Sequence, residues 1–402
     1  MCLLSFRLGQ HQPEQLRKLY KNYRARQGEW LSGVDLLKRL GKLKDDLEPK
    51  FKSTSHIAAL PYLVKVHPDH KEGEDYPILN EIRTVFEKAT WKIGEEEDGA
   101  LLYEGRITEW VSGEEAQKEL RKALNSILDN YEKKLRPSPY YALLLADGDN
   151  MGKTIDAQKK PDEHQRLSRK LSQFAIAVPE VVRKYQGVCV YAGGDDILAY
   201  LPLHTVLECG AELETKFKSQ MEVFTTIDHL SPTLSAGIVI AHHLTPLSDV
   251  LEMARQAEKE AKSFEGKNAL AITLSKRGGV ARTITDKWDA LYQRVTRLST
   301  LSRQGAISAG TAYELQELER FFSRTTIPIQ GKIDEAIRII KRKRESGGEK
   351  KINDKIQQDF EKWLTNGISP GRLAYEMIIA QTFGSAADMA SIPLPIDQEA
   401  SQ

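Results

Sequence analysis

Apolar positions in the first 60 residues recur at helical spacing. Leu16, Leu19 and Tyr20 share one face of 14–23, and Val34, Leu36, Leu37 and Leu40 follow a start near Ser32. Ser53, Thr54 or Ser55 is placed to cap a short helix leading into Pro61. Residues 62–100 mix charge with Gly and Pro and show no clear period, and Glu95–Gly99 reads as an exposed loop. Helical spacing returns from Ser112 to about Leu135 and breaks at Arg136-Pro-Ser-Pro139.

From Tyr140 the pattern changes. Tyr140–Ala146 is a short apolar run that predicts a buried strand ending on Asp147-Gly148-Asp149-Asn150. An amphipathic helix follows over roughly 163–185, then a strand over 187–192, the turn Gly193-Gly194-Asp195-Asp196, and a strand over 197–201 stopped by Pro202. A helix over about 205–224, a strand over 234–241, a helix over 248–263 and a strand over 269–273 complete the run. The order β-α-β-β-α-β, then α-β, is that of a split-βαβ, ferredoxin-like fold with an extension. Past Val280 strand signals fade, and Trp288, Leu291, Val295 and Leu298 form a helical stripe. Lys341–Lys351 reads as a charged loop and the tail after Ser385 as loose. The expectation is an α+β chain with a mostly helical region over 1–135, a palm over 136–280 and a C-terminal helical domain over 281–402.

Composition changes this picture little. The chain has 402 residues, and 58 Lys plus Arg nearly cancel 57 Asp plus Glu, so any nucleic-acid contact must come from local patches. Cys2, Cys189 and Cys209 form no C-x-x-C pair, which argues against a zinc site and fits a reducing compartment. No apolar stretch approaches the ~20 residues that a membrane helix needs, so no membrane contact is expected and the cytoplasm is the default location. His242 and His243 have no third ligand nearby and are expected to face solvent, and His56 to belong to a helix start. There is no Walker loop and no Gly-x-Ser-x-Gly elbow.

The chemistry concentrates in three acidic positions. In this topology the strand ending at Asp147 lies beside the hairpin whose tip carries Asp195 and Asp196. Clustered carboxylates repel, and a divalent cation removes that cost. Mg²⁺ takes oxygen ligands and pairs with substrate phosphates. Two such ions ~4 Å apart activate an attacking hydroxyl and stabilise a leaving oxygen. Gly193 and Gly194 are expected to take positive φ and to leave room for phosphates, and Gly148 to expose its carbonyl. Gly-Gly-Asp-Asp by itself is also ordinary turn chemistry, and Asp147 one βα unit earlier is what favours a metal site. Asp149 suits a turn as well as a ligand role. Lys262 and Lys267 are placed to meet a triphosphate as point charges or to sit as a solvated helix end. Ser235 is a base contact or an ordinary strand serine.

Leu143–Lys153, Tyr191–Ala199 and Ser235–His243 together resemble the palm of the large subunit of type III CRISPR effector complexes, most closely the Cmr (III-B) kind. Ser53–Pro61 and Gly33–Arg39 resemble segments upstream of that palm. The palm is also similar to GGDEF and class III nucleotidyl cyclases. The resemblance implies polymerisation of ATP to cyclic oligoadenylate with Mg²⁺ or Mn²⁺, in a complex of other subunits with guide RNA and target RNA. It implies that Asp147 and Asp195 or Asp196 ligate metal and that Lys262 and Lys267 face the triphosphate. The chain departs from the family pattern in three ways: it has no His-Asp dipeptide, so HD nuclease activity is not expected; no cysteine-rich segment precedes the palm; and it shows one palm instead of two. An ATP-binding scaffold subunit without turnover and a free-standing nucleotidyl cyclase are the competing readings. Lys341–Arg344 reads better as a solvated loop than as a phosphate contact.

Overall fold

The computed structural model describes residues 52–71, 73–89, 99–226, 228–277, 279–324, 327–342 and 354–394. The helices expected over 14–23 and from Ser32 lie outside these residues, as do 95–98, 343–351 and the tail from Pro395. The described residues fall into two compact units.

The smaller unit contains helices Pro77–Ala89 and Glu114–Tyr131, joined by short helical turns. Ile78, Ile82 and Phe86 make a buried stripe at i, i+4 and i+8, and the Phe86 ring meets Trp110 edge-on at 6.0 Å. No period was expected here, although Pro77 at the first helical turn and this stripe both mark a helix.

The larger unit is built on one six-stranded sheet. Its strands are β1 (Tyr140–Gly148), β2 (Val188–Gly193), β3 (Asp196–Leu201), β4 (Leu234–His242), β5 (Ala269–Leu274) and β6 (Arg282–Lys287). The spatial order is β2-β3-β1-β4-β5-β6, with β4 and β5 parallel and the other neighbours antiparallel. The first four strands reproduce the expected ferredoxin-like arrangement, and β5 and β6 extend it beyond β4. Strand β6 was not foreseen. It is an edge strand, and only Ile284 of Arg282–Lys287 is buried, so its sequence carries little apolar signal.

Side chains of one sheet face, including Ala142, Leu144, Ala146, Ile197 and Ile238, join a continuous core with helices Pro161–Lys184 and Val206–Met221. Phe174 and Phe217 meet there edge-on at 5.0 Å. The same core takes in Trp288, Leu291, Val295 and Leu298, so the expected helical stripe is buried. On the opposite face helix Leu247–Ser263 lies against β4 so closely that a Cβ on Gly237 would come within 2.5 Å of the Glu258 nitrogen. Helix Pro370–Met389 runs past Ser385, where a loose tail was expected, because Ala386 and Ala390 pack inward.

Candidate nucleotidyl-transfer site

Sheet register assembles the acidic positions. Asp147 pairs with Ser235 on β4, and Gly193 pairs with Asp196 across the hairpin. Ala146 pairs with Ile197, so the next step of that ladder sets Asp147 opposite Asp196. One row across four strands therefore reads Gly193, Asp196, Asp147, Ser235, with all four on the face carrying helix Leu247–Ser263. The hairpin loop is Gly194-Asp195. Gly194 has φ +66°, the left-handed conformation that a tight glycine-first hairpin turn requires. Gly193 does not have positive φ, contrary to expectation: it is a ladder residue, and its missing Cβ leaves space filled by the Tyr191 ring hydroxyl.

Asp195 folds back against the end of β1. A Cβ on Gly148 would lie 2.7 Å from Asp195 Oδ2 and 2.8 Å from Asp195 Cβ, so only glycine permits this approach. Gly148→Ala is accordingly expected to displace the Asp195 carboxylate. Mn²⁺ affinity should fall by about 10- to 100-fold, the range for disturbed support of a metal ligand. Calorimetric titration checks this, and unchanged affinity would mean that Asp195 is not positioned by this contact.

The charges are crowded. Burial, then the neighbouring Asp147 and Asp196 charges, push the Asp195 carboxyl up to about 6. Burial and Asp147 also raise Asp196, with Lys262 opposing them. Lys262, from the last turn of helix Leu247–Ser263, donates to Asp147 and lies 3.4 Å from Glu258 one turn earlier. Burial pulls the Lys262 ammonium down, but pairing with Asp147 and then Glu258 carries it above its ordinary value. Glu258 is raised by burial, with Asp147 and Asp149 adding to this and Lys262 opposing it. Among the described residues no three acidic, His or Cys side chains are closed into a ready metal cage, and Asp147 is instead paired with the Lys262 ammonium. Raised carboxyls held near one another, all oxygen donors, are the donor set that suits a hard divalent cation.

Asp149 has a role that the sequence left open. It is fully buried, and its Oδ2 accepts from Thr233 Oγ1 at 2.7 Å, Ser235 Oγ at 2.8 Å and the Asn268 N–H at 3.1 Å. Its Oδ1 has no partner. Asp149 thus ties the end of β1 to the start of β4 and to the turn before β5. Ser235 is fully buried beside Asp147, and its hydroxyl also accepts from the Ala269 N–H, so it is not exposed to a base. Lys267 sits in that same turn at φ +48°, its carbonyl accepting from Lys287 Nζ at 2.5 Å. Lys262 thus joins the acidic row, whereas the Lys267 ammonium makes no ion pair with another of the described residues. Glu258 was missed; its i, i+4 spacing to Lys262 was the available signal.

The histidines lie elsewhere. Tyr140 pairs with His242 at the end of β1 opposite Asp147. His243 is buried, with Nδ1 2.8 Å from Ser55 Oγ, so the expected solvent-facing placement does not hold for it. The neighbouring helix Thr54–Val66 covers this end, its Thr54 hydroxyl bonded to the His243 carbonyl.

Residues 140–271 match the family described as Cas10/Cmr2, second palm domain. The chain is 30% identical over 307 residues to the CRISPR system Cmr subunit Cmr2 of Pyrococcus furiosus, an alignment covering 66% of this chain and 34% of that protein. Residues 140–271 are thus similar to the Cas10/Cmr2 palm. A second relative, the CRISPR system CMR subunit Cmr2 of Saccharolobus solfataricus, is 26% identical over 205 residues, covering 47% of this chain and 19% of the relative. The chain therefore spans about a third or less of the length of these relatives. Among solved structures, the type III-B Cmr-beta complex bound to cognate target RNA contains a chain sharing this fold. It matches with TM-score 0.56 at 14% identity, over 92% of this chain and 54% of that one. No helix among the described residues is long and apolar enough to cross a membrane.

Proposed function

We propose that this chain is the nucleotidyl-transferring palm subunit of a type III CRISPR effector complex. In this reading it joins ATP into cyclic oligoadenylate, a 3′-hydroxyl attacking an α-phosphate with loss of pyrophosphate. The observation that carries the reading is the row Gly193, Asp196, Asp147 with Asp195 folded onto Gly148 and Lys262 alongside. Mg²⁺ or Mn²⁺ held by Asp147, Asp195 and Asp196 would supply activation of the hydroxyl and charge neutralisation at the leaving oxygen.

The chain's own groups do the rest. Lys262 balances Asp147 before substrate arrives and is within reach of an incoming triphosphate as a compact positive charge. Lys267, in the turn between that helix and β5, would add a second such charge at the margin. Gly194 keeps the hairpin turn bare, with nothing near the place a Cβ would take, so phosphate oxygens can meet its N–H without side-chain obstruction. Asp149, through Ser235 and the Asn268 N–H, holds the Lys267 turn in register with β1.

Guide and target RNA and neighbouring subunits are the proposed partners, in line with the fold shared with a target-RNA-bound Cmr-beta chain. The test uses the chain in its effector complex with target RNA, Mn²⁺ and α-labelled ATP. Phosphodiester-linked adenylate and pyrophosphate are expected in step. ATP that is bound at saturation but recovered intact would replace this reading with an ATP-binding scaffold.

A further inference from the structure

Glu258 is the carboxylate near the acidic row that still lacks a role. It stands one turn before Lys262 on helix Leu247–Ser263, and its side chain is 17% exposed. Ala254, Ala257 and Ala261, at i, i+3 and i+7, are the buried stripe of that helix. Ala257 and the Glu258 nitrogen press on Gly237 with no room for a Cβ between them. The helix is therefore seated on β4 without freedom to roll, which fixes where Glu258 and Lys262 stand. Lys262 meets two carboxylates at once: it donates to Asp147 and lies 3.4 Å from Glu258. Among the described residues it is the one cation that pairs with either. An exposed i, i+4 pair is ordinary helix surface chemistry. This pair differs in that its lysine is shared with the acidic row and both of its side chains are mostly buried.

The sharing sets up a competition. An ammonium on Asp147 opposes a divalent cation at the same carboxylate, because like charges repel strongly at such range. For Asp147 to act as a ligand, Lys262 has to leave it. A half-buried ammonium with no partner would be costly, and Glu258 is the acceptor already within reach. We propose that Glu258 is a positioning residue, which takes the Lys262 ammonium over from Asp147 as a divalent cation binds and holds it ready for phosphate oxygens. The inference rests on reading Asp147, Asp195 and Asp196 as a metal site, and it adds how the chain clears its own lysine from that site. Glu258 acts through Lys262 and not as a further ligand.

The experiment titrates Mn²⁺ alone into the full chain, Glu258→Gln, Lys262→Met and the double variant. Lys262→Met should bind Mn²⁺ at least about tenfold more tightly than wild type, the scale on which one neighbouring charge acts. Glu258→Gln should bind it about tenfold more weakly, because the lysine then stays on Asp147. Glu258→Asp, which keeps the charge but shortens its reach, should fall between wild type and Glu258→Gln. In the Lys262→Met background the Glu258→Gln effect should shrink to about twofold or less, as for uncoupled sites. With inorganic tripolyphosphate at saturating Mn²⁺ the sign for Lys262→Met should reverse, affinity falling by about tenfold, since the charge that hindered the cation now meets phosphate. Equal Glu258→Gln losses with and without Lys262 would overturn the proposal, leaving Glu258 as a plain negative charge near the cation. Lys262→Met binding Mn²⁺ no more tightly than wild type would also overturn it; in both cases the metal reading stands. A wild-type chain that takes up no Mn²⁺ would overturn the metal reading and this proposal with it.

Discussion

The Asp195→Ala, Asp196→Ala double variant is expected to lose nucleotidyl transfer by at least about a thousandfold, the scale on which charge-stabilising groups act at a transferring centre. The same change should not harm the fold in the absence of divalent ions. Asp195 is held at about 6 against an ordinary 3.8, by burial and then by Asp147 and Asp196. A carboxyl raised in the folded state binds its proton more tightly there than in the unfolded chain. Stability therefore falls as pH rises through the window from 3.8 to about 6, and stays reduced above it. Removing two of the clustered acids relieves that penalty at pH 7 and gains nothing below pH 4. Melting temperatures across pH 4 to 8 without divalent ions should show the double variant overtaking the wild type as pH rises. A wild type that gains stability relative to the variant over that range would contradict the account of these charges.

A comparable loss, of folding instead of turnover, is expected from Glu376→Ala. Glu376 is fully buried in helix Pro370–Met389 and accepts from Arg294 through Nε at 2.9 Å and Nη2 at 3.0 Å. Arg294 is itself buried and also reaches Asp286 on β6 at 2.7 Å. Arg372 closes the group, pairing with Asp286 at 2.7 Å and with Glu376 at 3.1 Å. Two positive and two negative groups balance. Deleting Glu376 leaves two guanidinium charges, one of them buried, against the single Asp286 carboxylate, which costs about 3–5 kcal/mol. Denaturant unfolding measures this directly. The Glu376→Ala, Arg294→Met pair should recover part of the loss, because the uncompensated charge is gone. A single variant within 1 kcal/mol of wild type, roughly the value of an exposed pair, would show that these charges are not buried as described.

Much of the palm was legible in the sequence because its central strands are buried on both faces. Tyr140–Ala146 and 234–241 are continuous apolar runs, and their spacing around Gly193–Asp196 specifies the β-α-β-β-α-β order. Asp147 could be set near the hairpin from topology alone. Its registry with Asp196 could not, because register depends on ladder pairing that a single sequence leaves unspecified. Strand β6 escaped because an edge strand needs only Ile284 inward. Burial of Ser235 and His243 escaped because each is satisfied by a partner distant in sequence, Asp149 and Ser55 respectively. Gly148 was valued for its carbonyl, whereas the structure makes its missing Cβ the feature that admits Asp195.

The central claim is that Asp147, Asp195 and Asp196 form one divalent-metal site. The most direct measurement is a Mn²⁺ titration of the full chain at pH 7.5 and pH 5, alongside Asp147→Asn and Asp195→Asn. The account predicts saturable binding at pH 7.5 that weakens at pH 5, where Asp195, at about 6, holds its proton. It also predicts a loss of at least about tenfold in either variant. Mn²⁺ affinity that is the same in the wild type and both variants would contradict it.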